Sequence, residues 1–165
     1  MNTSTLPDPA WLDAQYNNRA LVPEHAQHFE RWARDSRAAR ERLTGLLDVA
    51  YGHGPGEVLD IFPARRRDDQ PLAPVLVFIH GGYWQRGDRK GNAFVAKELV
   101  ARGVQVALPS YRLAPEASVM DIVGDLREFL KKLWDVTKQR PVVVGHSAGG
   151  HLAAAMLATD WSKVG

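Results

Sequence analysis

The stretch VVVGHSAGGH, residues 142–151, decides the fold. Its first three residues are apolar and β-branched, which is typical of a strand buried on both faces of a sheet. Gly145, Ser147 and Gly149 then form the spacing Gly-x-Ser-x-Gly, and a helical pattern follows. A serine on a sharp turn between a strand and a helix is held out at the edge of the sheet, where it can attack a carbonyl group. The pattern predicts that Ser147 is a nucleophile, and a plain glycine-rich turn is the alternative.

A second glycine motif, HGGYW at residues 80–84, also follows a continuous apolar run. Glycines allow the backbone of such a loop to turn its N–H groups toward an anion. We expect the N–H groups of Gly81 and Gly82 to act together with that of Ala148, the residue after the serine. Three such donors would stabilise the negative charge of a tetrahedral acyl intermediate.

Two aromatic residues complete this motif. Tyr83 and Trp84 either line a substrate pocket or simply pack the loop. A third motif, YRLAPE at residues 111–116, follows the next apolar run, and we interpret it as a structural corner.

Apolar runs alternate with helical patterns along the rest of the chain. The runs at residues 75–79, 104–108 and 142–144 are apolar at nearly every position, which favours a parallel sheet. Alternating strands and helices predict an α/β fold with one domain. The further expected segments are an arm over residues 1–22, the domain over 23–165, an amphipathic helix over 24–47, a helix over 92–102 and a capped helix from Ser118.

The motifs carry a resemblance to a known superfamily. In their order, HGGYW at 80–84, YRLAPE at 111–116 and GHSAGGH at 145–151 resemble the α/β-hydrolases. Their form is similar to that of the kynurenine formamidase (arylformamidase) group, which borders the hormone-sensitive-lipase-like carboxylesterases. Residues 16–19 and 51–62 resemble segments of the same group.

This resemblance implies a fold and a reaction. The fold would be an α/β-hydrolase with a mostly parallel sheet and helices on both faces. Ser147 would attack a formyl amide or an ester carbonyl, with the oxyanion held by the N–H groups of Gly81, Gly82 and Ala148, and water would hydrolyse the acyl-enzyme. No metal or organic cofactor is implied. A short-chain or aryl carboxylesterase remains open, because HGGYW also occurs in related esterases.

The acid and the base of a catalytic triad are missing from the pattern. The triad of this superfamily runs Ser, then Asp or Glu, then His. His151 lies on the helix that follows the serine, and Asp160 does not match the position of the acid. We therefore expect that the triad acid and base are not present in this chain. The chain would be the N-terminal portion of a hydrolase, truncated after the nucleophile-elbow helix.

Such a truncation has a consequence for the sheet. Residues 142–144 would form an exposed apolar edge, which favours self-association or pairing with a second chain. The alternative to an enzyme is a catalytically incomplete remnant that acts as a binding module.

Composition excludes several other classes of protein. The 165 residues include no cysteine, which removes thiol nucleophiles and Cys-ligated metals. The net charge is +2, and the basic run at residues 65–67 is followed at once by two aspartates, so we expect a solvated loop and no nucleic-acid partner. Neither a signal peptide nor a membrane span is expected. The sequence predicts a cytoplasmic protein that acts on a small molecule.

Overall fold

The computed structural model describes residues 7–64 and 72–164. The basic run at residues 65–67 lies outside them. The helices are α1 (Pro9–Tyr16), α2 (Asn18–Leu21), α3 (His25–Arg42), α4 (Ala96–Ala101), α5 (Val119–Thr137) and α6 (Ala148–Leu157). The strands are β1 (Leu46–Ala50), β2 (Val58–Phe62), β3 (Val75–Ile79), β4 (Gln105–Pro109) and β5 (Val142–Gly145). Two short 3₁₀ helices cover Lys90–Val95 and Trp161–Lys163.

The five strands form one mixed sheet in the order β1-β2-β4-β3-β5. The three continuous apolar runs of the sequence are β3, β4 and β5, and they are parallel: Val77 of β3 lies between Ala107 of β4 and Val143 of β5. The expected parallel core is therefore present. β2 pairs antiparallel with β4, and β1 pairs antiparallel with β2, which extends the sheet on one side.

The predicted helix over residues 24–47 is wrong at its C-terminal end. α3 ends at Arg42, Leu43 is extended, and the chain then enters β1. Apolar residues at 43 and 46 fit the helical period, but Gly45 packs so tightly on β2 that an added Cβ would lie 2.8 Å from the Ile61 carbonyl oxygen. Pairing with β2 satisfies the backbone here, and a continued helix would forgo that contact.

Helices cover both faces of the sheet, as expected. On one face, α3 and the 90–95 segment pack on Phe62, Val106 and Leu108. On the other face, α5 and α6 enclose the larger core cluster. The expected apolar stripe of α5 is buried there: Ile122, Leu126, Phe129, Leu130 and Leu133.

Local signals set the helix ends that flank these packed faces. Ser118 and Asp121 form a capping box at the start of α5, as the spacing predicts. The predicted helix over 92–102 begins as a 3₁₀ turn and becomes α4, and Gly103 follows it with φ of 82°. In the arm over residues 1–22, α1 and α2 bury no residue.

β5 lies at one edge of the sheet in the described part of the chain. Val142 and Val144 are 59% and 39% exposed on this strand. A groove of about 870 Å³ adjoins it, lined by α5, α6 and the chain that follows α6. The sequence-predicted apolar edge is thus present.

Candidate active site

The strand-to-helix turn holds Ser147 in a conformation that is unusual for a side-chain-bearing residue. Its φ is 54° and its ψ is −121°, between the end of β5 and the start of α6. Such a backbone costs energy and persists only where the surroundings enforce it. Glycines make the turn sterically possible, since a Cβ on Gly145 would lie 1.9 Å from the Gly149 carbonyl oxygen. The turn leaves Ser147 exposed above the sheet.

The HGGYW loop lies against this turn. A Cβ on Gly81 would stand 3.0 Å from the Cβ of Ser147 and 2.6 Å from the His146 carbonyl oxygen. Gly82 has φ of 125°, and its carbonyl oxygen accepts hydrogen bonds from Gln85 N and Arg86 N at 3.0 and 3.1 Å. The two glycine motifs that the sequence singled out are therefore direct neighbours.

Backbone N–H groups without a partner among the described residues occur in both glycine motifs. Ala148 is the first residue of α6, where the helix itself offers no acceptor. Gly81 N and Gly82 N make no hydrogen bond to another described residue. An oxyanion hole requires N–H donors of this kind, so the expected role of Gly81, Gly82 and Ala148 stays a prediction.

His80, the first residue of the HGGYW loop, packs against Tyr111. His80 is 1% exposed and stacks on Tyr111 with the ring centroids 4.3 Å apart. The Tyr111 hydroxyl donates to the His80 carbonyl oxygen at 2.9 Å. Burial lowers the pKa of His80, which favours the neutral ring. The 111–116 segment also contacts the loop through a backbone hydrogen bond, in which Ala114 N donates to the Trp84 carbonyl oxygen at 2.8 Å. The expected structural corner fits this arrangement.

No histidine ring is hydrogen-bonded to the Ser147 hydroxyl among residues 7–64 and 72–164, which include all six histidines. His146 is exposed and meets Trp32 edge-on at 6.0 Å. His151 meets Trp84 edge-on at 5.4 Å. Asp160 accepts from Ser162 and pairs with Lys163. The arrangement holds a serine and donors without an adjacent base.

The aromatic pair of the HGGYW loop borders a cleft. Tyr83 and Trp84 both have positive φ, 55° and 58°. Tyr83 is 46% exposed, whereas Trp84 packs partly against the larger core cluster. The cleft has a volume of about 370 Å³, and residues 17–19 of the arm form its other wall. Trp84 therefore packs the loop, and both residues line this cleft; that they line a substrate pocket stays a prediction.

Comparison with known proteins agrees with this geometry. Residues 59–163 match the BD-FAE family, which is more than half of the chain. The chain belongs to the BD-FAE family. Kynurenine formamidase of Salmo salar is 38% identical over 131 residues, 76% of this chain and 42% of that protein. Kynurenine formamidase of Drosophila melanogaster is 34% identical over 137 residues, 79% of this chain and 45% of that protein.

A similar solved structure establishes the fold. The crystal structure of a "putative thioesterase" from Silicibacter sp. superposes on this BD-FAE chain with a TM-score of 0.80 and 32% identity, over 88% of this chain and 55% of that one. The fold is thus that of an α/β-hydrolase. The BD-FAE chain spans less than half the length of the two curated relatives.

A buried ion cluster joins β2 to Arg89, five residues beyond the HGGYW loop, and the sequence pattern did not reveal it. Asp60 is fully buried on β2 and pairs with Arg40 and Arg89, with Arg89 Nε 3.0 Å from Asp60 Oδ1. Arg89 also bonds Asp48 and, from its backbone N and Nη1, Ser110 Oγ at 3.2 Å. The one available signal is a charged residue inside an apolar strand.

No group of three or more His, Asp or Glu side chains that could hold a metal ion occurs in the part of the chain that the structure describes. Within the same residues, no helix is long and apolar enough to cross a bilayer.

Proposed function

We propose that this BD-FAE chain carries the nucleophile and oxyanion donors of a serine hydrolase that cleaves a formyl amide or a carboxylic ester. One observation carries the proposal. Ser147 is held at positive φ, exposed, and directly beside Gly81 and the N-terminus of α6. A strained turn that presents a hydroxyl next to unpaired N–H groups has a clear chemical use and little structural benefit.

The proposed reaction begins with attack of Ser147 Oγ on the carbonyl carbon. The carbonyl π electrons move to oxygen, and the N–H groups of Gly81, Gly82 and Ala148 donate to the resulting oxyanion. The serine proton passes to a general base. None of the six histidines is hydrogen-bonded to Ser147 in the structure, so the proposal names no residue for this role. Collapse of the intermediate expels the amine or alcohol, which takes up that proton. Water then cleaves the acyl-enzyme and regenerates the hydroxyl, so no cofactor or metal enters the proposal.

The relatives support the reaction class. Two kynurenine formamidases are 38% and 34% identical to this chain, which favours a formyl amide of an aryl amine as substrate. A carboxylesterase is the second candidate, because isoprenylcysteine alpha-carbonyl methylesterases of rice and Arabidopsis thaliana are also similar, at 30% and 29% identity. The proposal includes a cytoplasmic location and no nucleic-acid partner.

Paired hydrolysis assays test this proposal. Formanilide and p-nitrophenyl acetate are each offered to the wild-type protein, Ser147→Ala and the control Ser162→Ala. Because Ser162 is an exposed serine beyond α6, only Ser147→Ala should lower both rates. Ser147→Ala keeps the oxyanion donors and loses only the nucleophile, so the difference between its rates and those of the wild-type protein measures what Ser147 itself contributes. A wild-type rate equal to that of Ser147→Ala contradicts the proposal. The ratio of the two substrates separates a formamidase from an esterase.

A further inference from the structure

The stacked side chains of His80 and Tyr111 are each hydrogen-bonded to a backbone carbonyl of the HGGYW loop. The Tyr111 hydroxyl donates to the carbonyl oxygen of His80 at 2.9 Å. His80 Nδ1 lies 2.9 Å from the carbonyl oxygen of Gly81. These carbonyls belong to consecutive peptide groups, which link residue 80 to 81 and residue 81 to 82. The stacked pair therefore holds two adjacent peptide groups.

The geometry of a peptide group turns a bound carbonyl into a directed N–H group. Both peptide groups are trans, so in each of them the C=O and the N–H point in opposite directions. The hydrogen bond from Tyr111 therefore fixes the direction of Gly81 N–H, and the one from His80 fixes that of Gly82 N–H. Neither N–H group has a partner among the described residues. Each is held pointing away from the side chain that binds its carbonyl.

The hydrogen-bonding chemistry of both side chains suits this arrangement. Burial raises the pKa of the Tyr111 hydroxyl, so it remains a donor at neutral pH. His80 Nε2 is buried and has no partner in the described part of the chain. A proton on Nε2 would leave a buried donor unsatisfied and set the lone pair of Nδ1 against the Gly81 carbonyl oxygen. The neutral ring therefore carries its proton on Nδ1 and donates to Gly81.

Close backbone packing surrounds both hydrogen bonds. A Cβ on Gly87 would lie 2.6 Å from the Gly81 carbonyl oxygen and 3.0 Å from His80 Nδ1. A Cβ on Gly149 would lie 2.6 Å from the His80 carbonyl oxygen. Gly81 also adjoins the nucleophile candidate, since its own added Cβ would stand 3.0 Å from the Cβ of Ser147. The peptide groups that the stacked pair binds are thus confined, and they lie next to the serine.

We propose that His80 and Tyr111 are positioning residues, which bind two carbonyls and thereby hold the N–H groups of Gly81 and Gly82 in the direction that receives an oxyanion. Both side chains are buried, so neither needs to touch the substrate. The inference rests on the proposed function, because it explains how two of the proposed oxyanion donors are kept in place. It also gives Tyr111, the first residue of the YRLAPE motif, a role beyond that of a structural corner.

A matched pair of Tyr→Phe variants tests the first hydrogen bond. Tyr111→Phe keeps the stacked ring and removes only the hydroxyl. Tyr51→Phe is its control, because the buried Tyr51 hydroxyl also donates to a backbone carbonyl, that of Ser110, at 2.7 Å. The readout is the rate at which Ser147 reacts with a fluorophosphonate probe, whose phosphonyl oxygen would take the place of the oxyanion. Loss of one oxyanion donor costs about 10²- to 10³-fold, so Tyr111→Phe should react at least about 10-fold more slowly than Tyr51→Phe, while both lower the urea midpoint of unfolding.

Two amide side chains at position 80 test the second hydrogen bond. In His80→Asn the NH₂ group lies two bonds from Cβ, as Nδ1 does, whereas in His80→Gln it lies three bonds away, as Nε2 does. If His80 positions the Gly81 carbonyl, the Asn variant should keep most of the reactivity of Ser147, and the Gln variant should lose at least about 10-fold. A purely structural role predicts the reverse order, because Gln is larger and fills more of the space that the ring leaves.

NMR spectroscopy provides a readout that does not depend on the reactivity of the serine. In the wild-type protein, we expect the ¹⁵N shifts of the His80 ring to show a proton on Nδ1 and none on Nε2. The amide resonance of Gly81 should move in Tyr111→Phe and stay in place in Tyr51→Phe. The amide resonance of Gly82 should move further in the Gln variant of His80 than in the Asn variant.

The outcomes separate this proposal from the proposed function. A proton on His80 Nε2, equal reaction rates of Tyr111→Phe and Tyr51→Phe, or faster reaction of the Gln variant than of the Asn variant overturns the positioning role. If Ser147 of the wild-type protein does not react, the hydrolase proposal fails, and the amide shifts then decide the orientation of the two peptide groups. Equal amide shifts in the two Tyr→Phe variants would overturn that orientation, and unequal shifts would support it.

Discussion

Replacing Gly149 with alanine should destabilise the protein and disturb the candidate site. A Cβ at this position would lie 2.1 Å from the Ile79 carbonyl oxygen and 2.6 Å from that of His80. Both atoms belong to backbone, so α6 and β3 must separate by roughly 1 Å. Overpacking of this kind costs about 3 kcal/mol, at the upper end of its usual range, because no flexible side chain can give way. Alanine returns about 1 kcal/mol through helix propensity. The net loss is about 2 kcal/mol.

Gly124→Ala is the matched control for this change. Gly124 lies inside α5, and an added Cβ there meets nothing within 4 Å. The same substitution should therefore stabilise the protein by about 1 kcal/mol. Urea unfolding measures both variants, and with an m-value of about 2 kcal/mol/M the Gly149→Ala midpoint should fall by about 1 M. Its Ser147 should also react roughly 10²-fold more slowly, since a displacement of about 1 Å costs that much. Gly149→Ala with wild-type stability and reactivity would refute the close approach of α6 to β3.

Three further predictions follow from the packing. Asp60→Asn should lower the free energy of unfolding by about 3–5 kcal/mol in urea titrations, because Arg89 is then left buried without its full counter-charge; a loss below about 1 kcal/mol would argue against the cluster. Ser118→Ala should cost about 1 kcal/mol by removing a helix cap. The Ser118 hydrogen bonds lower the pKa of Asp121, so their stabilisation is present above the ordinary value of 3.8 and is lost as the pH falls through the lower folded value. Ser118→Ala should therefore unfold with less acid sensitivity in that range, and an unchanged profile would contradict this. Val144→Lys should reduce concentration-dependent self-association in sedimentation velocity, because a charge blunts an edge strand; equal association would contradict an interface at β5.

The elbow, the HGGYW loop and the parallel strands could be predicted because their signals are local. A continuous apolar run indicates a strand that is buried on both faces, whichever strands it pairs with. Gly145 and Gly149 lie where backbone segments come too close for a Cβ atom, so their spacing alone indicates the turn. The capping box of α5 is similarly complete within four residues.

The remaining features depend on partners that are distant in sequence. β1 exists because β2 offers a pairing edge, and its leucines equally fit the end of a helix. Asp60 is buried because Arg89, 29 residues later, returns to neutralise it. Arg19 joins the cleft because α2 packs near Tyr83, and the contact of Asn18 with Tyr83 spans 65 residues. The last two of these contacts join residues 29 and 65 positions apart, which no local pattern links.

Covalent labelling of the folded protein tests the central claim most directly. The wild-type protein, Ser147→Ala and Ser162→Ala are incubated with a fluorophosphonate probe, and the adduct is located by peptide mass spectrometry. The oxygen of the phosphonyl group would take the place of the oxyanion, so donors beside Ser147 should favour reaction there over other serines, at a lower rate than a complete triad gives. We expect one adduct on Ser147 that is absent from Ser147→Ala and retained in Ser162→Ala. No adduct on the folded wild-type protein, or an adduct that persists in Ser147→Ala, would contradict the assignment of Ser147 as the nucleophile.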